Sequence, residues 1–473
     1  MAELTKRERM KMDRTSIPMR DPGSRAETFD EVNIGYTAGL AVLEASRCLN
    51  CKNPVCVEGC PVGVRVDEFV RLIAEERFDE AAAVVLDDNP LPAVCGRVCP
   101  QESQCEGSCV LNKKGRPIAI GYLERFVADR ELARASEPPE SAEPTGRSVA
   151  VIGSGPAGLA CAGDLVRRGH AVTVFEALHE LGGVLIYGIP AFRLPKDVVR
   201  AEIDRLADLG VQFETDVLVG VSPTVDDLLD GEGFDAVFIG TGAGLPRFPG
   251  VPGEDLIGVY SANEFLTRVN LMHANDPETR TPVYDLEGRD VVVLGGGNTA
   301  VDAARTSLRL GAASVRMLYR RSKAEMPARA EEIDHAEEEG VQLDFLVSPA
   351  RFDGEDGWLR SVTMQAMQLG EPDDAGRARP TPIEGAFETI PCEVAIVAIG
   401  NSPNPILGRS TEGLETSPWG TITVDSLTAE TSIPGVYAGG DVATGGATVI
   451  LALGAGRRAA SAIDRYLGEV ITA

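Results

Sequence analysis

The chain has 473 residues, long enough for two or three domains rather than one core. Its composition, 44% hydrophobic and 25% charged, is that of a globular protein, and no run of eighteen apolar residues is present, which excludes a membrane-spanning helix. A formal net charge of −27 argues against nucleic acid as a partner, because phosphate binding needs clustered Lys and Arg.

The opening residues, MAELTKRERMKMDRT, lack the apolar segment of a secretory signal, so a cytoplasmic protein with an acidic, solvated surface is expected. Eight of the ten cysteines then fall between Cys48 and Cys109. Cys48, Cys51, Cys56 and Cys60 are spaced C-x2-C-x4-C-x3-C and followed by Pro61. Cys95, Cys99, Cys105 and Cys109 are spaced C-x3-C-x5-C-x3-C, with Pro100 after Cys99. Cys161 and Cys392 stand alone in apolar surroundings and read as core residues.

Disulfides do not suit a cytosolic chain of this size. Two structural zinc sites would also take eight thiolates, and zinc stays open as the alternative. Zinc ribbons, however, space two CxxC pairs around a loop, whereas here three or four ligands crowd one segment that ends in Cys-Pro. Bacterial-type ferredoxins hold cubane clusters in that way, so the reading is two [4Fe–4S] clusters. The last cysteine of such a run often ligates the other cluster. Cys48, Cys51 and Cys56 are therefore expected to be completed by Cys109, and Cys60 to join Cys95, Cys99 and Cys105.

Between the two groups, Phe69, Leu72 and Ile73, then Phe78, Ala81 and Ala82, recur at helical spacing, which predicts two short helices. Residues 1–134 are thus expected to form a small helical domain stapled by clusters. The stretch ASEPPESAEPTGR, residues 135–147, reads as a linker.

Beyond it, SVAVIGSGPAGLACAGDLVRRGHAVTVFE places a strand before Gly153-x-Gly155-x-x-Gly158, a helix after it, and Glu176 at the end of the second strand. That order is the dinucleotide-binding pattern: the glycines allow a tight turn and let a pyrophosphate approach the helix at Ala157 and Gly158, and Glu176 can accept from a ribose hydroxyl. A second unit follows, RDVVVLGGGNTAVDAARTSLRLGAASVRMLYRR, with Gly295-x-Gly297-x-x-Ala300 enclosing Asn298 and Thr299. Its second strand ends not in an acid but in Arg320 and Arg321, which suit the 2′-phosphate of NADPH.

Two dinucleotide sites in one chain suggest a flavoprotein reductase. FAD is assigned to the first by three further stretches: Gly183 in the Gly-Gly pair after Glu176, Thr241 and Gly242 at the end of VFIGTGA, and Gly440-Asp441 ahead of an apolar helix whose N-terminus lies near Thr448. The helix dipole there would stabilise negative charge on a reduced flavin. The expected fold class is α/β, with two Rossmann-type domains behind the helical iron–sulfur domain. The FAD domain (147–285 and 400–473) carries the NADPH domain (286–399) as an insertion.

The cysteine pattern, YGIPAFRLPK, YSANEFLTRVNLM, GGGNTAVDAAR and YRRSKAEMPAR together resemble the small subunit of NADPH-dependent glutamate synthase, over residues 28–473. The architecture is also similar to the large subunit of NADH-dependent reduced ferredoxin:NADP oxidoreductase and to the reductase half of dihydropyrimidine dehydrogenase. The resemblance implies that NADPH reduces FAD and that the clusters pass single electrons to a partner, since the cofactors carry the hard chemistry. No side chain need act as acid or base, and His170, His179, His273 and His335 are scattered. Arg193, in the YGIPAFRLPK loop, is expected near flavin or nicotinamide. The chain begins Met-Ala, without the N-terminal nucleophilic cysteine of glutamine amidotransfer, and has no stretch for a synthase barrel. A hetero-oligomer is therefore implied, with a large glutamate synthase subunit or, alternatively, a small ferredoxin-reductase-type subunit. A zinc-stabilised nucleotide sensor is the non-enzymatic alternative.

Overall fold

The computed structural model describes residues 4–134, 142–274, 276, 278–279, 281–372 and 376–470, so residues 135–141 of the expected linker lie outside the described residues. The N-terminal part is helical. Val66–Ala74 and Phe78–Asp88 are the two helices that the apolar spacing predicts; both pack on Ile120–Leu132 and on each other, and Val66–Ala74 also packs on Ala38–Ala45. Phe69, Ile73, Val85 and Leu123 are fully buried between them. Pro92–Val98, started by a proline in its first turn, carries Cys95 at its centre and Cys99 just past its end.

Two parallel sheets follow. Ser148–Ile152, Ala171–Phe175 and Gln212–Glu214 pair in that order, and Ala236–Ile239 pairs on the other side of Ser148–Ile152. The central runs are almost wholly apolar (SVAVI, AVFI), because the middle of a parallel sheet is covered on both faces, whereas the edge strand Gln212–Glu214 (QFE) is partly exposed. Val436–Ala438, from the far end of the chain, completes this sheet beside Ala236–Ile239. The last helix, Val449–Val470, lies against Pro156–Val166 so closely that a side chain on Gly456 would run into the Ala157 carbonyl.

The second sheet orders Val259–Ser261, Val394–Val397, Asp290–Leu294, Ser314–Tyr319 and Gln342–Phe345, all parallel. This corrects the expected boundary at residue 286. Val259–Ser261 and the helix Ala262–Leu271 belong to the second unit, because the strand pairs with Val394–Val397 and the helix packs on Asn298–Arg309. A three-residue strand is too short to show a period in sequence. The chain crosses between the units where Leu245–Pro246 pairs with Asn401–Ser402, so the inserted domain starts near 247. A further antiparallel sheet was not expected: Val347–Glu355, Trp358–Pro372 and Ala378–Pro391 form an arm whose first turn holds Asp356 and Gly357 with positive φ.

Candidate functional site

Each parallel sheet sends its first strand into a glycine turn at the start of a helix. In the first unit Gly153 has φ +99°, and a Cβ there would lie 2.8 Å from the Gly240 carbonyl, so the turn and the Gly240–Thr241 segment need a residue without a side chain. Gly158 is equally constrained by the Gly153 carbonyl. Gly155 caps the helix Pro156–Val166 without any side-chain hydrogen bond, which leaves its first N–H groups for an anion. Other elements converge here. Gly183 approaches the Gly155 backbone (Cβ position to Cα, 3.0 Å), and Gly440 approaches Ala157 (2.9 Å) and Ala452 (3.5 Å). Gly242 borders open space, while Val184 and Leu451, flanking this set, are apolar yet exposed. Uncapped N–H groups, side-chain-free backbone and exposed apolar surface fit a dinucleotide carrying a flat ring.

Glu176 is buried at the end of the second strand. Ser154 donates to its Oε2 from both backbone N (2.9 Å) and Oγ (2.5 Å), and Leu178 N donates to Oε1 (3.0 Å). Ser154 Oγ in turn accepts from Gly182 N at 2.9 Å, so the acid fixes the glycine turn and the Gly182–Gly183 loop together. Lone pairs remain on Glu176 for a ribose hydroxyl. Asp441 opens the short helix Asp441–Thr444 and accepts from Ala447 N at 3.1 Å, and burial raises its carboxyl above the ordinary range. Thr448 Oγ1 accepts from Leu451 N at the start of the C-terminal helix.

In the second unit a side chain on Gly295 would meet the Ala398 carbonyl, and Gly297 caps the helix Asn298–Arg309, again without a side-chain bond. Ala300 is buried and Thr299 exposed. Asn298 Oδ1 accepts from Arg329 N at 3.0 Å. The two arginines part company. Arg320 is exposed, whereas Arg321 is buried and donates from Nε to the Ala378 carbonyl at 2.8 Å. Arg193 is buried in an ion-pair cluster: its Nη1 contacts both oxygens of Asp302 (2.8 and 2.7 Å), and its Nε lies 3.3 Å from Glu332. It straps the YGIPAFRLPK loop to the helix Asn298–Arg309.

The cysteines separate into two sets. Cys48, Cys51, Cys56 and Cys109 line one cavity, closed by apolar neighbours such as Val70, Leu111 and Ile120. Burial pushes Cys48 up to about 11, with Cys109 and Cys51 acting on it, and pushes Cys56 up to about 12, with Cys48 and Cys109 acting on it. The other set is deeper. Burial raises Cys60, on which Cys95 also acts, and Cys105, on which Cys60 also acts, and Cys99 is raised first by its hydrogen bond with Cys95. Four sulfurs gathered in an apolar pocket fit a centre whose positive charge offsets the cost of burying thiolates. Sequence reasoning missed Glu124. Its carboxyl acts on Cys60, Cys99 and Cys105, accepts from Asn89 Nδ2 at 2.9 Å, and is pushed up to about 7 by burial. A lone Glu in the helix Ile120–Leu132 gives no pattern by which to find it.

Family comparisons agree with this layout. Residues 25–136 match the dihydropyrimidine dehydrogenase domain II, 4Fe-4S cluster family, and residues 147–457 match the pyridine nucleotide-disulphide oxidoreductase family. The chain is 38% identical to the glutamate synthase [NADPH] small chain of Escherichia coli, over 96% of this chain and 98% of that one. It is 40% identical to the NADP(+)-dependent formate dehydrogenase subunit beta of Moorella thermoacetica, over 95% of this chain and 66% of that one. In fold it is similar to FprA from Mycobacterium tuberculosis, with a TM-score of 0.58 and 20% identity, covering 70% of this chain and 86% of that one. Both sequence relatives are components of multi-subunit oxidoreductases, which implies a partner subunit here. Among the described residues no helix is long and apolar enough to cross a membrane. The chain therefore belongs to the pyridine nucleotide-disulphide oxidoreductase family, alongside the glutamate synthase [NADPH] small chains, and is an NADPH-dependent oxidoreductase that uses FAD and 4Fe-4S chemistry.

Proposed function

We propose that this chain is the small subunit of a cytoplasmic NADPH-dependent glutamate synthase, which draws electrons from NADPH and delivers them singly to a large subunit that makes glutamate from glutamine and 2-oxoglutarate. The observation that carries this reading is the similarity to the Escherichia coli small chain, which runs through both sequences almost end to end. Bound FAD would convert a hydride into single electrons, and two [4Fe–4S] clusters would carry them outward. This chain's residues supply the placing. Gly295, Gly297 and Ala300 let the pyrophosphate of NADPH reach the helix start, with Asn298 and Thr299 beside it, and Arg320 meets the 2′-phosphate. Gly153, Gly155, Gly158 and Gly183 do the same for FAD, while Glu176 orients its ribose.

The C-terminal helix joins the two chemistries. Thr448 starts it at the FAD site, and less than two turns further on Gly454 comes within 3.2 Å (Cβ position) of the Pro61 carbonyl, next to Cys60. Arg457 Nη1 donates to the carbonyls of Val62 and Asp88, and its Nε donates to Asp164 at 3.0 Å. This seam favours Cys60, Cys95, Cys99 and Cys105 as the first acceptor and Cys48, Cys51, Cys56 and Cys109 as the outer one.

The similarity to the formate dehydrogenase subunit favours a second reading, a reductase subunit serving another acceptor, such as a ferredoxin-linked partner. Anaerobic purification with the co-purifying chain tests both. Glutamate synthase requires NADPH oxidation that depends on glutamine and 2-oxoglutarate together. Oxidation indifferent to both, with a small flavin- or cluster-bearing partner, would replace it with the second reading.

A further inference from the structure

The whole chain has seven lysines; Lys52, Lys113 and Lys114 follow Cys51 and Cys109 closely in sequence, and Lys6 and Lys11 flank Arg9, which reaches the Cys48 carbonyl. The other two are engaged: Lys196 donates to the carbonyls of Leu185 and Ile189, and Lys323 pairs with Glu337. The five are exposed, and among the described residues none of them forms an ion pair. Residues 1–14, 48–58 and 109–116 together hold nine basic residues and four acidic ones, in a chain of net charge −27. A protein this acidic repels acidic partners at long range, so a local reversal of sign selects where such a partner can land.

The fold sets this basic rim around the outer cysteine set. Arg9, on the short helix Lys6–Arg9, donates to the Cys48 carbonyl at 2.5 Å. Lys52 follows Cys51, and Lys113 and Lys114 end the turn Val110–Lys114 that leaves Cys109. Apolar side chains are exposed among them: Val110, which also lines the cavity of the four cysteines, and Leu4, Met10 and Leu43 on neighbouring elements. An apolar centre with a charged rim is the anatomy of a protein interface.

We infer that this face is the electron exit and that it docks an acidic face of the protein that accepts the electrons. The inference rests on the proposed function, in which the outer set holds a cluster fed from NADPH. Two inorganic probes of opposite charge test it on the holoenzyme: ferricyanide, a trianion, and hexaammineruthenium(III), a trication. Each NADPH oxidised gives up two electrons, reduces two equivalents of either complex and releases one proton. In the wild type, ferricyanide reduction should fall as salt is added. The variant K113E/K114E should lose ferricyanide reduction about tenfold at low salt, gain hexaammineruthenium reduction, and leave flavin bleaching by NADPH unchanged. The variant K6E/K11E, outside the ligand segments, should shift in the same direction with full iron content. Rates that ignore both substitutions and salt would overturn the inference, because electrons would then leave elsewhere. Failure of NADPH to bleach the flavin of the wild type would be a different result: it would overturn the proposed function, and the docking face with it.

Discussion

Arg320 and Arg321 are neighbours in sequence, but only Arg320 points a guanidinium at solvent where a 2′-phosphate could meet it; Arg321 is buried on the Ala378 carbonyl. Arg320→Ala should therefore raise KM for NADPH about 10- to 100-fold, the worth of a charge-assisted hydrogen bond, and leave KM for NADH nearly unchanged. Arg321→Ala should lower the unfolding midpoint instead, without changing the preference between the two nucleotides. Steady-state kinetics with both nucleotides and a denaturant titration separate the two outcomes. The sequence showed two arginines at the right offset and could not say which one the arm would claim. The arm itself was unread, although Asp356 and Gly357 form the kind of turn that starts a hairpin. Arg193 was legible as a special residue in a special loop, yet its partners Asp302 and Glu332 lie over a hundred positions away. The glycines and cysteines were legible because their constraints are local: a turn, a helix start, a ligand spacing.

Among the elements, the helix Ala330–Glu338 organises a buried ionic layer that no motif announces. Glu332 faces Arg193 and Arg305, and Glu339, just past the helix end, bonds Arg25 (2.9 Å), Arg305 (2.6 Å) and Arg309 (2.8 Å). Burial alone would raise both carboxyls, but the positive charges around Glu332, and at Glu339 the hydrogen bonds and charges of Arg305 and Arg309, win and hold each at about 2. Their folded values lie below the unfolded value near 4.5. Both therefore contribute stability that is fully present above that unfolded value and is lost as the pH falls toward 2. The unfolding free energy should decline steeply across that window. Glu339→Gln should make the decline shallower and should cost about 3–5 kcal/mol near neutral pH, because it leaves buried arginines without their partner. Denaturant titrations at stepped pH read both effects; an unchanged slope would remove Glu339 from the acid response. The layer also ties the N-terminal segment at Arg25 to the second dinucleotide domain. Such ties were illegible beforehand, since an arginine that pairs across the fold looks in sequence like any solvated one.

At the scale of the whole molecule, three units that were each recognisable from local pattern meet through contacts that were not. Arg329 is one: its Nη1 donates to the Arg97 carbonyl at 2.8 Å and its Nη2 to Gln101 Oε1 at 3.0 Å, while its backbone N holds Asn298. The turn at Asn298 and the Cys95–Cys99 segment are thus joined by one buried residue, through its backbone on one side and its side chain on the other. The other meeting point is the seam at Gly454, where the helix that begins at the proposed FAD site touches the segment leaving Cys60. A Cβ there would stand 3.2 Å from the Pro61 carbonyl, and the branched side chain of valine would have to push helix and segment apart. The proposed FAD cradle of Gly153, Gly155, Gly183 and Gly440 has its closest neighbours in Gly240, Gly155 and Ala157 rather than in Pro61. Gly454→Val should therefore leave the rate of flavin reduction by NADPH intact. It should slow the following reduction of the clusters on the order of 10- to 100-fold, the scale on which small displacements cost rate. Stopped-flow absorbance resolves the first step, and rapid-freeze electron paramagnetic resonance resolves the second, at matched flavin and iron contents. If the clusters of the variant fill as fast as those of the wild type, electrons do not cross at this seam, and the order of the two cysteine sets would have to be reversed or the path drawn through Arg329 instead.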